Sequence, residues 1–137
     1  MHSSNYNYFP VRTAAILTNA YVAGLILGPT EISGTQNDAS PSVYNQLNIY
    51  WGFTKGSLTS GELKVEFSHD GTTYYQETAS AVAGGTSTES LLIHTITATG
   101  NYRISVPLKD NYVKISAQGT GTVTASSATV SAVIGIT

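Results

Sequence analysis

Residues 62–78 read ELKVEFSHDGTTYYQET, and this stretch decides the fold class. Leu63, Val65 and Phe67 alternate with Glu62, Lys64 and Glu66, which is the two-residue period of a strand with one buried face. Asp70-Gly71 follows. Both residue types tolerate positive φ, so the segment reads as a β-hairpin turning at Asp70 and Gly71. A two-residue loop sets Phe67 opposite Tyr74 and Lys64 opposite Glu77, but it leaves Gln76 beside Val65 on the apolar face. A three-residue loop, facing Val65 with Tyr75, is the alternative. Turn statistics favour the first.

Working outward from the hairpin, Val43–Thr54 places Leu47, Ile49 and Trp51 on one face and Tyr44, Asn48 and Tyr50 on the other. Tyr50 and Trp51 therefore point in opposite directions. Strand patterns recur at Leu91–Ala98, Tyr102–Val106, Tyr112–Gln118 and from Thr122 onward, separated by Gly100-Asn101, residues 107–111 and Gly119-Thr120-Gly121. Val11–Leu27 is strand-like material broken near Asn19 or Gly24, and Gly84-Gly85, inside the small-residue stretch Ala79–Ser90, reads as a turn. Helical periodicity is almost missing, and no repeat of 20–50 residues emerges. About eight short strands punctuated by turns predict an all-β fold, an antiparallel β-sandwich of jelly-roll-like type. Residues 1–10, polar and tyrosine-bearing, read as an N-terminal arm ahead of one domain over 11–137. That domain carries a long loop at 28–42, GPTEISGTQNDASPS, dense in turn formers. Tyr6, Tyr8 and Phe9 in the arm, and Glu31 and Ile32 in the loop, are the candidate protein-contact residues.

The composition narrows the chemistry. The chain has 137 residues, 6 basic and 8 acidic side chains, a net charge of −2 and no cysteine. Only 10% of its residues are charged, against about 25% in an average domain, so its surface is neutral and rich in hydroxyls. Thiol catalysis, zinc–thiolate sites and disulfides are excluded. His2, His69 and His94 form no spaced pair, and Asp38, Asp70 and Asp110 stand alone, so neither a transition-metal nor a calcium site is expected. Glu62 and Glu66 are the only close carboxylates on one strand; at about 3.3 Å per residue they lie roughly 13 Å apart, too far for a glycosidase pair. They read as a solvated strand face. No Gly-X-Ser-X-Gly elbow and no phosphate-cradling glycine loop occurs. No cofactor is expected. The six basic residues are scattered, which argues against a nucleic-acid partner. The apolar run Ala14–Gly28 is short, interrupted and preceded by little positive charge, so neither a signal peptide nor a membrane partner is expected. Eight asparagines occur without one glycosylation sequon. Nine tyrosines supply anchors for wet protein contacts or for stacking on sugars, and tyrosine is also an ordinary strand former.

Glu62–Glu77, with Tyr102–Pro107 (YRISVP) and Tyr112–Thr122 (YVKISAQGTGT), resembles small β-sandwich virion structural proteins of tailed bacteriophages over roughly the last 75 residues. The resemblance implies a non-enzymatic virion component, assembled in the host bacterial cytoplasm. Capsid decoration or cement proteins, which bind the outside of the head shell, are the leading kind. Its implied partners are the major capsid protein or other virion proteins, with further copies of itself in a dimer or trimer. A head–tail adaptor, head fibre or small tail protein fits the same resemblance. The hairpin is also similar to that of discoidin-like and carbohydrate-binding sandwich modules. In that reading Trp51, Tyr74 and Tyr75 form a sugar-stacking platform, whereas in the alternative Trp51 fills the core.

Overall fold

The computed structural model describes residues 6–32, 46–108 and 110–135. In chain order the elements are β1 (Tyr6–Ala15), β2 (Val22–Ala23), the single helical turn α1 (Pro29–Ile32), β3 (Gln46–Thr54), β4 (Leu58–Ser68) and β5 (Tyr75–Gln76). They continue with β6 (Thr78–Ala83), β7 (Thr86–Leu91), β8 (His94–Ile96), β9 (Gly100–Pro107), β10 (Tyr112–Gly121) and β11 (Ser127–Gly135). Sheet I has the order β1-β11-β3-β9. Sheet II runs β2-β10-β4, with β5 and β8 both pairing with β4. All pairings are antiparallel.

Tracing the chain through these orders yields a jelly roll. The path alternates between the sheets from β1 to β4, stays in sheet II for the strand beside β4, and alternates again from β9 to β11. Strands β5 and β8 act together as one edge strand: Tyr75 and Gln76 pair with Phe67 and Glu66, while His94, Thr95 and Ile96 pair with Leu63, Glu62 and Gly61. Between them the chain leaves the sheet as the β6–β7 hairpin, closed at its base where the Leu92 N–H donates to the Glu77 carbonyl at 2.9 Å. The eight-strand expectation therefore holds for the sandwich itself. The extra strands arise because one edge strand is interrupted.

The core follows from the alternation. In β3 the buried positions are Leu47, Ile49, Trp51 and Phe53; in β4 they include Leu63, Val65 and Phe67; in β11 they include Val130, Ala132 and Ile134. These are the apolar members of each two-residue period, and burying each large one contributes about 1.5–3 kcal/mol. Gly61 is required here, because a Cβ would lie 2.5 Å from the Phe53 ring. Strand β1 is an edge strand and tolerates Pro10, which has no N–H to donate. The ladder shifts between Pro10 and Arg12, and the Arg12 guanidinium donates to the carbonyls of Ala128, Ala15 and Ile16 at 3.2, 3.2 and 2.9 Å.

Three sequence expectations need correction. Residues 1–10 are not an arm throughout: from Tyr6 the chain is a strand of sheet I, paired with the C-terminal strand from Tyr6 opposite Gly135 to Ala15 opposite Ala128. The tyrosines obscured a strand whose ladder partner lies over 100 residues away. In the 28–42 loop, residues 29–32 form α1, and 33–42 lie outside the described residues. The decisive hairpin adopts neither expected register, since Phe67 faces Tyr75 and Glu66 faces Gln76.

Side chains set that wider turn. The Ser68 hydroxyl accepts from the Asp70 and Gly71 N–H groups at 3.2 and 2.8 Å. It also donates to the Asp70 carboxylate at 2.9 Å. That carboxylate accepts from the Thr72 and Thr73 N–H groups at 2.8 and 3.0 Å. Gly71 has φ +78°, and no residue other than glycine takes positive φ among those described, so Asp70 does not supply the second left-handed position of a two-residue loop. Local capping of this kind competes with the tight turn for the same backbone donors. The expected Lys64–Glu77 pairing is replaced accordingly: Lys64 lies opposite Ser116 and 3.7 Å from Glu66.

Candidate functional site

The two outer faces of the sandwich differ in how their polar groups are used. On sheet II, Glu62 is buried and not on a solvated face as its alternation suggested. It accepts from Gln118 Nε2 at 3.2 Å, from the Thr120 hydroxyl at 2.7 Å and from the Ser60 hydroxyl. Glu66 lies between Lys64 at 3.7 Å and Lys114 at 3.8 Å, and the two ammonium groups sit 4.6 and 4.4 Å from the Tyr21 and Tyr74 rings. Burial, and secondarily the charge of Glu62, hold the Tyr21 phenol above its ordinary pKa. Apart from the Tyr21 hydroxyl, which is buried without a hydrogen-bond partner, these groups satisfy one another in a polar network.

Sheet I is different. Its four strands contain two charged residues, Arg12 and Arg103, and no carboxylate. The ladder sets Ser131, Tyr50 and Arg103 in one row across β11, β3 and β9, and Thr129, Gly52 and Asn101 in the next. Because inward positions alternate with these, the six residues share the outer face. They line an open cavity of about 440 Å³. A second hollow of about 290 Å³ continues from it over Gly52, Asn101 and Thr129 toward Thr54 and Thr99. Gly52 makes the floor, since a Cβ there would meet only Asn101 Oδ1 at 3.4 Å and Thr129 Cβ at 3.8 Å. Tyr50 is 40% exposed, and the side chains of Tyr50, Asn101, Arg103, Thr129 and Ser131 make no hydrogen bond or ion pair among the described residues.

The second unusual region is the β6–β7 hairpin. All twelve strand positions are exposed, with Val82 at 73% and Leu91 at 60%. Its turn, Gly84-Gly85, has φ +57° and +78°, the left-handed pair of a type I′ hairpin. The sequence placed the turn but not the strands, because Ala, Ser and Thr show no apolar alternation to mark them. Glu89 accepts from the Thr78 hydroxyl at 2.8 Å and from the Ser80 hydroxyl.

The residues singled out from the sequence are dispersed. Trp51 is 1% exposed and packs against Phe53 and Tyr102 at ring-centroid distances of 5.7 and 6.4 Å, so it is a core residue and no sugar platform. Tyr74 faces Lys114, while Tyr75 is exposed and stacks on His69 at 6.4 Å. The three expected platform aromatics do not share a surface. Among the contact candidates, Tyr8 is exposed, whereas Phe9 packs against the core and Ile32 is buried within it, which removes both from the surface set. The side chains of Tyr6 and Glu31 lie outside what is described. Asp70 and Gly71 do form the turn. Tyr50 was legible by elimination, since a core Trp51 forces its neighbour outward; the groove around it needed the register of three strands.

Among the described residues no group of three His, Asp or Glu side chains is placed to hold a metal, and no helix is long and apolar enough to cross a membrane. Comparison with protein-family models, curated proteins and solved structures finds no match to the chain.

Proposed function

We propose that this protein is a phage virion structural protein, a capsid cement or decoration protein that binds the outside of the head shell as a homo-oligomer and acts by binding, not catalysis. The observation that carries the reading is the β6–β7 hairpin, a ladder of six residue pairs with no buried side chain. An isolated two-stranded hairpin is marginally stable in water. A segment of this kind, interrupting an edge strand and exposing Val82 and Leu91, gains its stabilisation by lying against another surface. The jelly roll is an architecture that capsid and lectin domains use, and its rigid body suits a spacer that presents such a hairpin. A neutral surface lets copies approach one another without long-range repulsion. The exposed Tyr8 on edge strand β1 is a further contact point.

The test is co-sedimentation with empty phage heads, after light scattering has established the oligomeric state. A second variant joins Thr78 to Leu91 through two glycines; these residues are Cα partners, so excision leaves the sandwich closed. The full chain is expected to form a dimer or trimer and to pellet with heads, and the excised variant to fold with unchanged thermal stability and remain in the supernatant. A full chain that ignores heads, or an excised variant that pellets equally well, overturns the reading.

A further inference from the structure

Independently of that reading, we infer that the outer face of sheet I is a binding site for a neutral oligosaccharide, centred on Tyr50 and floored by Gly52. Sugars present hydroxyl donors and acceptors around apolar C–H faces, so a site for them needs uncommitted polar groups beside an exposed ring. The groove supplies both. Tyr50 offers an aromatic surface, and Arg103, Asn101, Thr129 and Ser131 offer donors and acceptors that nothing else in the described chain uses. The face has no carboxylate to repel or bind a charged ligand and one free guanidinium, too little for a nucleic-acid or polyanion site. The main cavity, about 440 Å³, falls in the ~300–1,000 Å³ range of small-molecule sites, and its continuation past Thr54 and Thr99 suits a ligand longer than one ring.

Gly52 separates this proposal from a merely polar sheet face. A glycine in mid-strand forfeits packing and strand propensity. A Cβ there would make only ordinary van der Waals contacts, at 3.4 Å to Asn101 Oδ1 and 3.8 Å to Thr129 Cβ, so no backbone-level clash requires the glycine. Its consequence is the open floor between Asn101 and Thr129.

The experiment begins with an array of bacterial surface polysaccharides and of plant and algal oligosaccharides, probed with the full chain. Affinity electrophoresis through gels containing the best neutral hit, and alginate as a carboxylated comparison, then tests the wild type with Tyr50→Ala, Gly52→Val, Arg103→Ala and Tyr75→Ala. Binding to a neutral glycan is expected. Tyr50→Ala should weaken it about tenfold, the scale of one aromatic contact. Gly52→Val should abolish binding while thermal stability holds or rises, and Tyr75→Ala should leave it unchanged. Three outcomes overturn the site: no neutral glycan bound, retention by alginate alone, or Tyr50→Ala and Gly52→Val both retained as strongly as wild type. A folding defect in Tyr50→Ala would not obscure the result, because Gly52→Val fills the groove without truncating a packed side chain.

Discussion

Sheets I and II share one core but differ in how far the polar groups of their outer faces partner one another. On sheet II a buried glutamate, its three donors and a lysine–glutamate–lysine cluster are bound to one another. On sheet I a tyrosine, an arginine, an asparagine and two hydroxyls surround a glycine-floored hollow without internal partners. Polar side chains on a β-sandwich are therefore no uniform solvated coat. Where they satisfy one another they belong to the fold; around Gly52 they are left uncommitted.

The comparison breaks most readily at Glu62. Replacing it with Ala removes the buried charged acceptor that Ser60, Gln118 and Thr120 share and leaves the buried Ser60 hydroxyl without it, an expected cost of about 2–3 kcal/mol in urea unfolding. Tyr50→Ala on the opposite face should stay within about 0.5 kcal/mol, as for surface substitutions generally. Equal losses would show that the sheet I face is structural.

A smaller effect is expected at a glycine on each side. Gly71→Val forces a β-branched residue into φ +78° and brings its Cβ within 2.9 Å of the Tyr112 ring. About 1–3 kcal/mol of destabilisation is expected from the backbone strain. Gly52→Val, in ordinary strand geometry, should be neutral or stabilising in the same thermal melts.

The smallest effect is a pH dependence. Backbone N–H groups of Thr73 and Thr72, then the Ser68 hydroxyl, hold the Asp70 carboxyl down at about 2 from its ordinary 3.8. A carboxyl depressed in the folded state contributes stability above its unfolded pKa and loses it as pH falls through the folded one. The melting temperature should therefore decline between about pH 4 and pH 2 by more in wild type than in Asp70→Asn. The strands of sheet I carry no carboxylate or histidine, so glycan retention on that face should be flat from pH 5 to 8. A bell-shaped or stepped profile there would point to a site elsewhere.

Much of this is legible in the amino-acid sequence alone. The period-two runs through Leu47–Trp51 and Leu63–Phe67 predict strands and name their buried members, because side-chain direction in a strand is a local property. Trp51 in the core and Tyr50 outside follow from the same rule. The hairpin register was not legible: Ser68 and Asp70 divert backbone donors that a two-residue turn would use, and two competing local solutions of similar energy leave no mark in hydrophobic pattern.

An all-β, cysteine-free, nearly neutral sandwich is written into composition and local alternation, which act over a few residues. That Tyr6–Ala15 is a strand, that Glu62 is buried, that residues 78–91 leave the sheet, and that Tyr50, Gly52, Asn101 and Arg103 meet emerges only in the folded chain. Each of these depends on which distant strand lies alongside. That choice is made by the collective packing of both sheets, in which no single segment holds the information.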